Sequence, residues 1–167
     1  EYVEGDGGWN KAIEIYNPTD SQIVLSYYVL IRQTNGCSGS VDSLYLAGVI
    51  DADSVHVICH PSADSIVLSK SHSNSGILSF NGNDAIILVN IQTGDTLDFI
   101  GEDCTDPGTS WAVGAGSTKD NSLVRKSSIH KGEQDWTVGA TQWDVLGSND
   151  FSNLGIHNHD SCSTVAN

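Results

Sequence analysis

The sequence predicts an all-β sandwich with long loops and little helix. Three observations predict it. Short runs rich in β-branched and aromatic residues alternate apolar with polar. Clusters of Asn, Asp, Gly and Pro separate them at short intervals. No segment sustains the 3.6-residue apolar period of a helix.

The runs follow one another along the chain. Residues 12–16 (A-I-E-I-Y) alternate, with Ile13 and Ile15 on one face, and Asn17-Pro18-Thr19-Asp20 breaks the chain after them. Residues 23–33 form a longer run that Asn35-Gly36 ends. Further strands are expected over 44–46, 55–59, 76–80, 84–89, 96–100 and 122–125. The run from Asp84 to Asn90 is apolar on both faces, which marks a central strand covered on both sides. Residues 96–100 (T-L-D-F-I) place Leu97 and Phe99 inward and Asp98 outward. The short turn around Thr93-Gly94-Asp95 makes these two runs a hairpin. Residues 101–121 read as one long loop. A single domain over 1–157 with a polar tail over 158–167 is expected, and the missing leader and Met suggest a processed or truncated start.

Composition narrows the function. With 21 acidic and 7 basic residues the net charge is -14, which repels phosphate backbones and argues against nucleic acid as a partner. No apolar stretch is long enough to insert into a membrane as a helix. Four cysteines, Cys37, Cys59, Cys104 and Cys162, lack zinc-ligand spacing. An even count fits two disulfides in a secreted or cell-surface protein, and three pairings are open.

The order of motifs resembles the bacterial, secreted branch of the lamin-tail domain family. The likeness rests on Glu1-Tyr2-Val3-Glu4-Gly5, Asn10-Lys11-Ala12-Ile13-Glu14-Ile15-Tyr16-Asn17-Pro18-Thr19, Phe80-Asn81-Gly82-Asn83-Asp84-Ala85 and Asp98-Phe99-Ile100-Gly101-Glu102. Asp106-Pro107-Gly108-Thr109-Ser110-Trp111, Leu123-Val124-Arg125-Lys126, Trp143-Asp144-Val145 and Asn153-Leu154-Gly155-Ile156-His157 follow in order. Tyr27 and the run Gly5-Asp6-Gly7-Gly8-Trp9 depart from the family's pattern. The resemblance implies an immunoglobulin-like β-sandwich, used as an extracellular module and often found beside secreted hydrolases. It supplies no catalytic residues. In that topology Cys37 and Cys104 come to the same pole, so their pairing leads and leaves Cys59 with Cys162.

Candidate site residues fall into three groups. Glu102, Asp103 and Asp106 crowd one loop and Asp51 and Asp53 flank a turn; such hard oxygen ligands suit Ca²⁺, although no cofactor is required. His157 and His159, with His130 as a third partner, offer an alternative metal site if they lie on a strand. Trp9, Trp111, Trp136 and Trp143 lie in loops or at strand ends, where aromatics stack on carbohydrate or anchor a protein. The plainer alternative is that they cap the open ends of the sandwich. Glu14 is expected to pair with Lys11 or Arg125. No nucleophile elbow, P-loop or zincin motif occurs, and the carboxylates form no singled-out pair, so no enzyme is expected.

The sequence thus reads as a non-catalytic structural or adhesive module that associates with itself or another surface protein. Its alternative is an accessory domain of a secreted hydrolase that binds carbohydrate or protein. Self-association is expected from a shortened first strand, whose open edge would accept the polar tail 158–167 of a neighbour.

Overall fold

A computed structural model describes residues 1–6 and 8–160. Its strands are β1 (Tyr2–Glu4), β2 (Lys11–Asn17), β3 (Ile23–Val24), β4 (Tyr28–Gln33), β5 (Val41–Tyr45), β6 (Val49–Ile50) and β7 (Ser54–Cys59). After the single-turn helix α1 (Ser65–Leu68) come β8 (Ser73–Asn74), β9 (Ala85–Asn90), β10 (Asp95–Ile100), β11 (Ala112–Val113), β12 (Gly116–Ser117) and β13 (Ser122–Arg125). Helix α2 (Trp136–Gly139) and β14 (Trp143–Leu146) complete the order. No helix among the described residues is long and apolar enough to cross a membrane.

The strands make an all-β sandwich. A six-stranded sheet runs β14-β13-β1-β2-β7-β8 and faces a four-stranded sheet, β10-β9-β4-β5. Tyr2, Ile13, Ile58 and Leu123 from the first and Leu30, Ile86 and Ile100 from the second share the main core with Phe80. A second core lies on the six-stranded sheet alone. There Val3, Ala12, Val57 and Cys59 meet Val67 of α1 and Phe151 and Leu154 of the C-terminal segment. The sequence therefore buries β2 and β7 on both faces.

The hairpin β9–β10, its Gly94 at φ 78°, and the Asn35-Gly36 turn at φ 49° and 61° match the sequence expectation. So does the place of β9 between β10 and β4. Other expectations need correction. Residues 76–80 contain a 3₁₀ turn, Gly76–Leu78, rather than a strand, because the Ser75 side chain accepts from Ile77 N and caps it. The run 23–33 is broken by another, Leu25–Tyr27. A bulge between Thr96 and Asp98 shifts the register, so Asp98 pairs with Leu88 and Phe99 with Ile87. One extra residue moves the side chains that follow to the opposite faces. Asp98 thus turns toward the six-stranded sheet, where it meets Arg125.

Strand β1 is short but is no edge. It pairs with β2 on one side and β13 on the other. Its backbone groups have partners, and the open first-strand edge expected from the sequence is absent. Of the expected donor tail 158–167, residues 161–167 lie outside the described residues.

Candidate binding site

A turn pinned from below presents Trp9. Asn10 Nδ2 donates to Asp64 Oδ2 at 2.8 Å, and Asp64 N donates back to Asn10 Oδ1 at 2.8 Å. Gly5 N donates to Asn10 O at 2.9 Å and closes the loop. A Cβ at Gly5 would come within 2.6 Å of the Asn10 side chain, so a larger residue there would open this turn. The Trp9 indole stacks on the His60 ring, with centroids 4.2 Å apart and planes at 15°. His60 is fixed in turn, its Nδ1 accepting from Ser62 N at 3.1 Å, and burial and Lys11 hold its pKa low. Trp9 remains 51% exposed, so its second face meets solvent.

Beside Trp9 runs a groove of about 1030 Å³ lined by Arg32, Thr34, Asn81, Asn83, Lys119 and Asp120 among others. Its floor is built tightly. Buried Asp84 accepts from Asn81 N at 2.9 Å and from Asn35 N at 3.1 Å, tying two turns together. Thr118 Oγ1 bridges Gly82 O and Trp111 N. A Cβ on Gly82 would lie 2.6 Å from Lys119 Cα, so two backbone segments can meet there only through glycine. Arg32 is held by Ser79 and by Asp42 at 2.6 Å. Buried Lys11 pairs with Glu4 at 3.3 Å. Glu14 pairs with neither expected cation; its Oε2 accepts from Gly155 N at 2.6 Å.

The other three tryptophans take the plainer role. Trp111, Trp136 and Trp143 are buried in the main core. Trp111 and Trp136 meet edge to face at 6.3 Å, and Arg125 lies 3.9 Å over the Trp143 ring. They cannot serve as exposed binding aromatics, which leaves Trp9.

The acidic loops are tied into the protein. Asp103 Oδ1 accepts from Gln33 Nε2 at 2.7 Å, while Gln33 Oε1 accepts from Cys104 N at 2.8 Å. Asp106 Oδ1 accepts from Gly108 N at 2.8 Å, and Glu102 is exposed. Asp51 accepts from Gln22 and Asp53 from Tyr16 Oη. Among the described residues the one metal-type grouping is Cys37, Asp103 and Cys104. Its two sulfurs are joined in the Cys37–Cys104 disulfide, the pairing that the topology favoured. A disulfide sulfur is not a thiolate ligand. Buried Cys59 donates to Asn74 Oδ1 at 3.1 Å; Cys162 lies outside the described residues.

The histidines gather without a strand. The His157 ring lies tilted against Tyr16, with centroids 4.3 Å apart and planes at 46°, and His130 Nδ1 faces His159 Nε2. No third ligand atom joins that pair within the reach of one ion among the described residues. His56 Nε2 lies 3.0 Å from Ser73 Oγ, a contact that sequence reading missed because it joins β7 to β8. Among the described residues His56 has no carboxylate to orient it, only the His72 ring at 5.3 Å.

No protein-family model matches the chain, and no curated protein matches it.

Proposed function

We propose that this domain is a non-catalytic, extracellular recognition module that holds carbohydrate in the groove beside Trp9. The observation that carries the reading is the open indole face, rigidly backed by His60, at the lip of a polar groove. A flat aromatic face stacks on the C–H face of a sugar ring, while amides and hydroxyls nearby exchange hydrogen bonds with its hydroxyls. Groove cations Arg32 and Lys11 are paired with Asp42 and Glu4, and Lys119 shares the lining with Asp84 and Asp120, which favours a neutral glycan. The Cys37–Cys104 disulfide fits an oxidising, extracellular setting. Such a module serves in adhesion or as an accessory domain of a secreted hydrolase. Affinity electrophoresis through neutral polysaccharides tests it. Wild type is expected to be retarded in at least one, and Trp9→Ala to lose about tenfold in affinity, or ~1.4 kcal/mol, with its melting temperature kept. Equal mobility of the two proteins in every gel overturns the reading.

Self-association is a second reading, favoured by a different surface. Strand register places Tyr45, Val29 and Val89 in one row and Ile31, Ile87 and Phe99 in the next, on the outer face of the four-stranded sheet. Tyr45 and Val41 are 70% and 54% exposed there. Rows of apolar side chains on a sheet face suit another protein surface, including a second copy of this chain.

A further inference from the structure

We propose that the cleft between the two sheets is a second binding site, for an uncharged aliphatic alcohol, independent of the groove beside Trp9. The six-stranded sheet is wider than the four-stranded one, and β10 is an edge strand of the narrower sheet. A cleft of about 830 Å³ opens there, within the usual size range of small-molecule sites. Ile13 and Ile15 from one sheet and Leu30 and Leu88 from the other give it an apolar interior, while Asp98, Arg125, Lys131 and Glu133 also line it. The segment 129–135 lies across its mouth. Phe99 N donates to Glu133 O at 2.9 Å, Glu133 N to Asp98 Oδ1 at 2.9 Å, and Gln134 Nε2 to Thr96 O at 2.7 Å.

Two polar groups in this lining lack a partner. Both carboxylate oxygens of Glu1 are buried with no hydrogen bond, on a side chain only 2% exposed. The indole Nε1 of Trp143 is likewise buried and unpaired. Buried polar groups are nearly always hydrogen-bonded, so orphans grouped in one cleft point to a ligand that completes them. One is an acceptor and the other a donor. A hydroxyl can donate to the one or accept from the other, and a hydrocarbon body fills the rest. The charges in the lining already have partners, Glu14 facing the N-terminal ammonium at 3.8 Å and Arg125 pairing with Asp98, so a neutral head suits the cleft better than a charged one. Burial pushes the Glu1 carboxyl up to about 7, so a neutral partner suits it better than an anion.

The test titrates the whole chain at pH 8 with 1-decanol and with decanoate, both below their micelle or solubility limits, following tryptophan emission. Saturable decanol binding at least tenfold tighter than decanoate is expected. Leu88→Trp, which fills the cleft, should abolish it, and Ile15→Phe serves if Leu88→Trp fails to fold. Glu1→Gln removes the repelling charge and should narrow the gap between decanol and decanoate. Trp9→Ala should leave decanol binding unchanged, which separates this site from the carbohydrate reading. No saturable binding, equal binding of alcohol and carboxylate, or binding that survives the filled cleft overturns the proposal.

Discussion

The two sheets carry similar side chains outward and treat them differently. On the six-stranded sheet the outward apolar residues Val3, Ala12, Val57 and Cys59 lie beneath α1 and the 151–154 segment. On the four-stranded sheet the outward residues Val29 and Ile87 are buried as well, but they belong to neither core. The covered sheet draws its outer stability from packing. The other has a covalent tie at one pole, where Cys37 after β4 joins Cys104 after β10 across 67 residues. The difference teaches that an apolar outward row does not reveal its cover. Packing, a cross-link or a partner can each manage it.

The largest effect should come from stripping the covered face. Leu154 is 1% exposed and packs in the outer core. Leu154→Ala is expected to cost about 2–5 kcal/mol, from lost transfer energy and the cavity left behind. Chemical denaturation checks it. A loss under about 1 kcal/mol would mean that the 151–154 segment merely rests on the sheet.

Removing the tie from the other sheet should come next. The double variant Cys37→Ser, Cys104→Ser is expected to lose about 2–4 kcal/mol, chiefly by freeing the long loop in the unfolded chain. Reducing agent should lower the wild-type melting temperature and leave the variant's unchanged. A variant as stable as the oxidised wild type would show that the open sheet has no need of the bridge.

A smaller effect lies where the sheets part. Glu1 is pushed from 4.5 up to about 7 by burial, so between those values the folded chain keeps a proton that the unfolded chain has lost. Its contribution to stability falls as pH rises through that window. His157 is pulled from 6.5 down to about 4, again by burial first, so the unfolded chain takes up a proton that the folded chain refuses. Its contribution rises with pH between about 4 and 6.5. The two oppose each other from 4.5 to 6.5. Glu1→Gln should steepen the rise of melting temperature with pH over that range, and His157→Gln should flatten it. Slopes unchanged from wild type in both variants would place these groups in water.

This contrast also explains what the sequence could reveal. Strand runs and turns were legible because alternation and Asn-Gly or Thr-Gly-Asp turns are local signals. Strand β9 read as covered on both faces because Ile86 and Ile87 are equally apolar, yet a second layer is a long-range fact. The reversal of Asp98 and Phe99 comes from one bulged residue, which leaves no mark in the alternation. Helix α2 had a weak local signal: Asp135, whose side chain accepts from Thr137 N at 2.9 Å. The site was less legible. Four tryptophans look alike in sequence, and only the Asn10–Asp64 clamp and the His60 stack set Trp9 apart. The Cys37–Cys104 disulfide was legible only through the pairing that the immunoglobulin-like resemblance implied, since sequence spacing alone left three pairings open.

The smallest effect on stability should come from the uncovered face, and it sharpens the comparison most. Tyr45 is 70% exposed on β5, an edge strand of its sheet. Tyr45 belongs to neither core and is largely exposed, so Tyr45→Ser should change stability by no more than about 0.5 kcal/mol. If this face docks a second copy, the same substitution should lower the association constant, because exposed aromatics are strong interface anchors. Sedimentation velocity over a concentration series reads both states. A dimer in wild type that weakens in Tyr45→Ser, at unchanged melting temperature, makes the open face an interface. Monomers throughout, at high concentration, would mean that the outward row needs no partner to cover it.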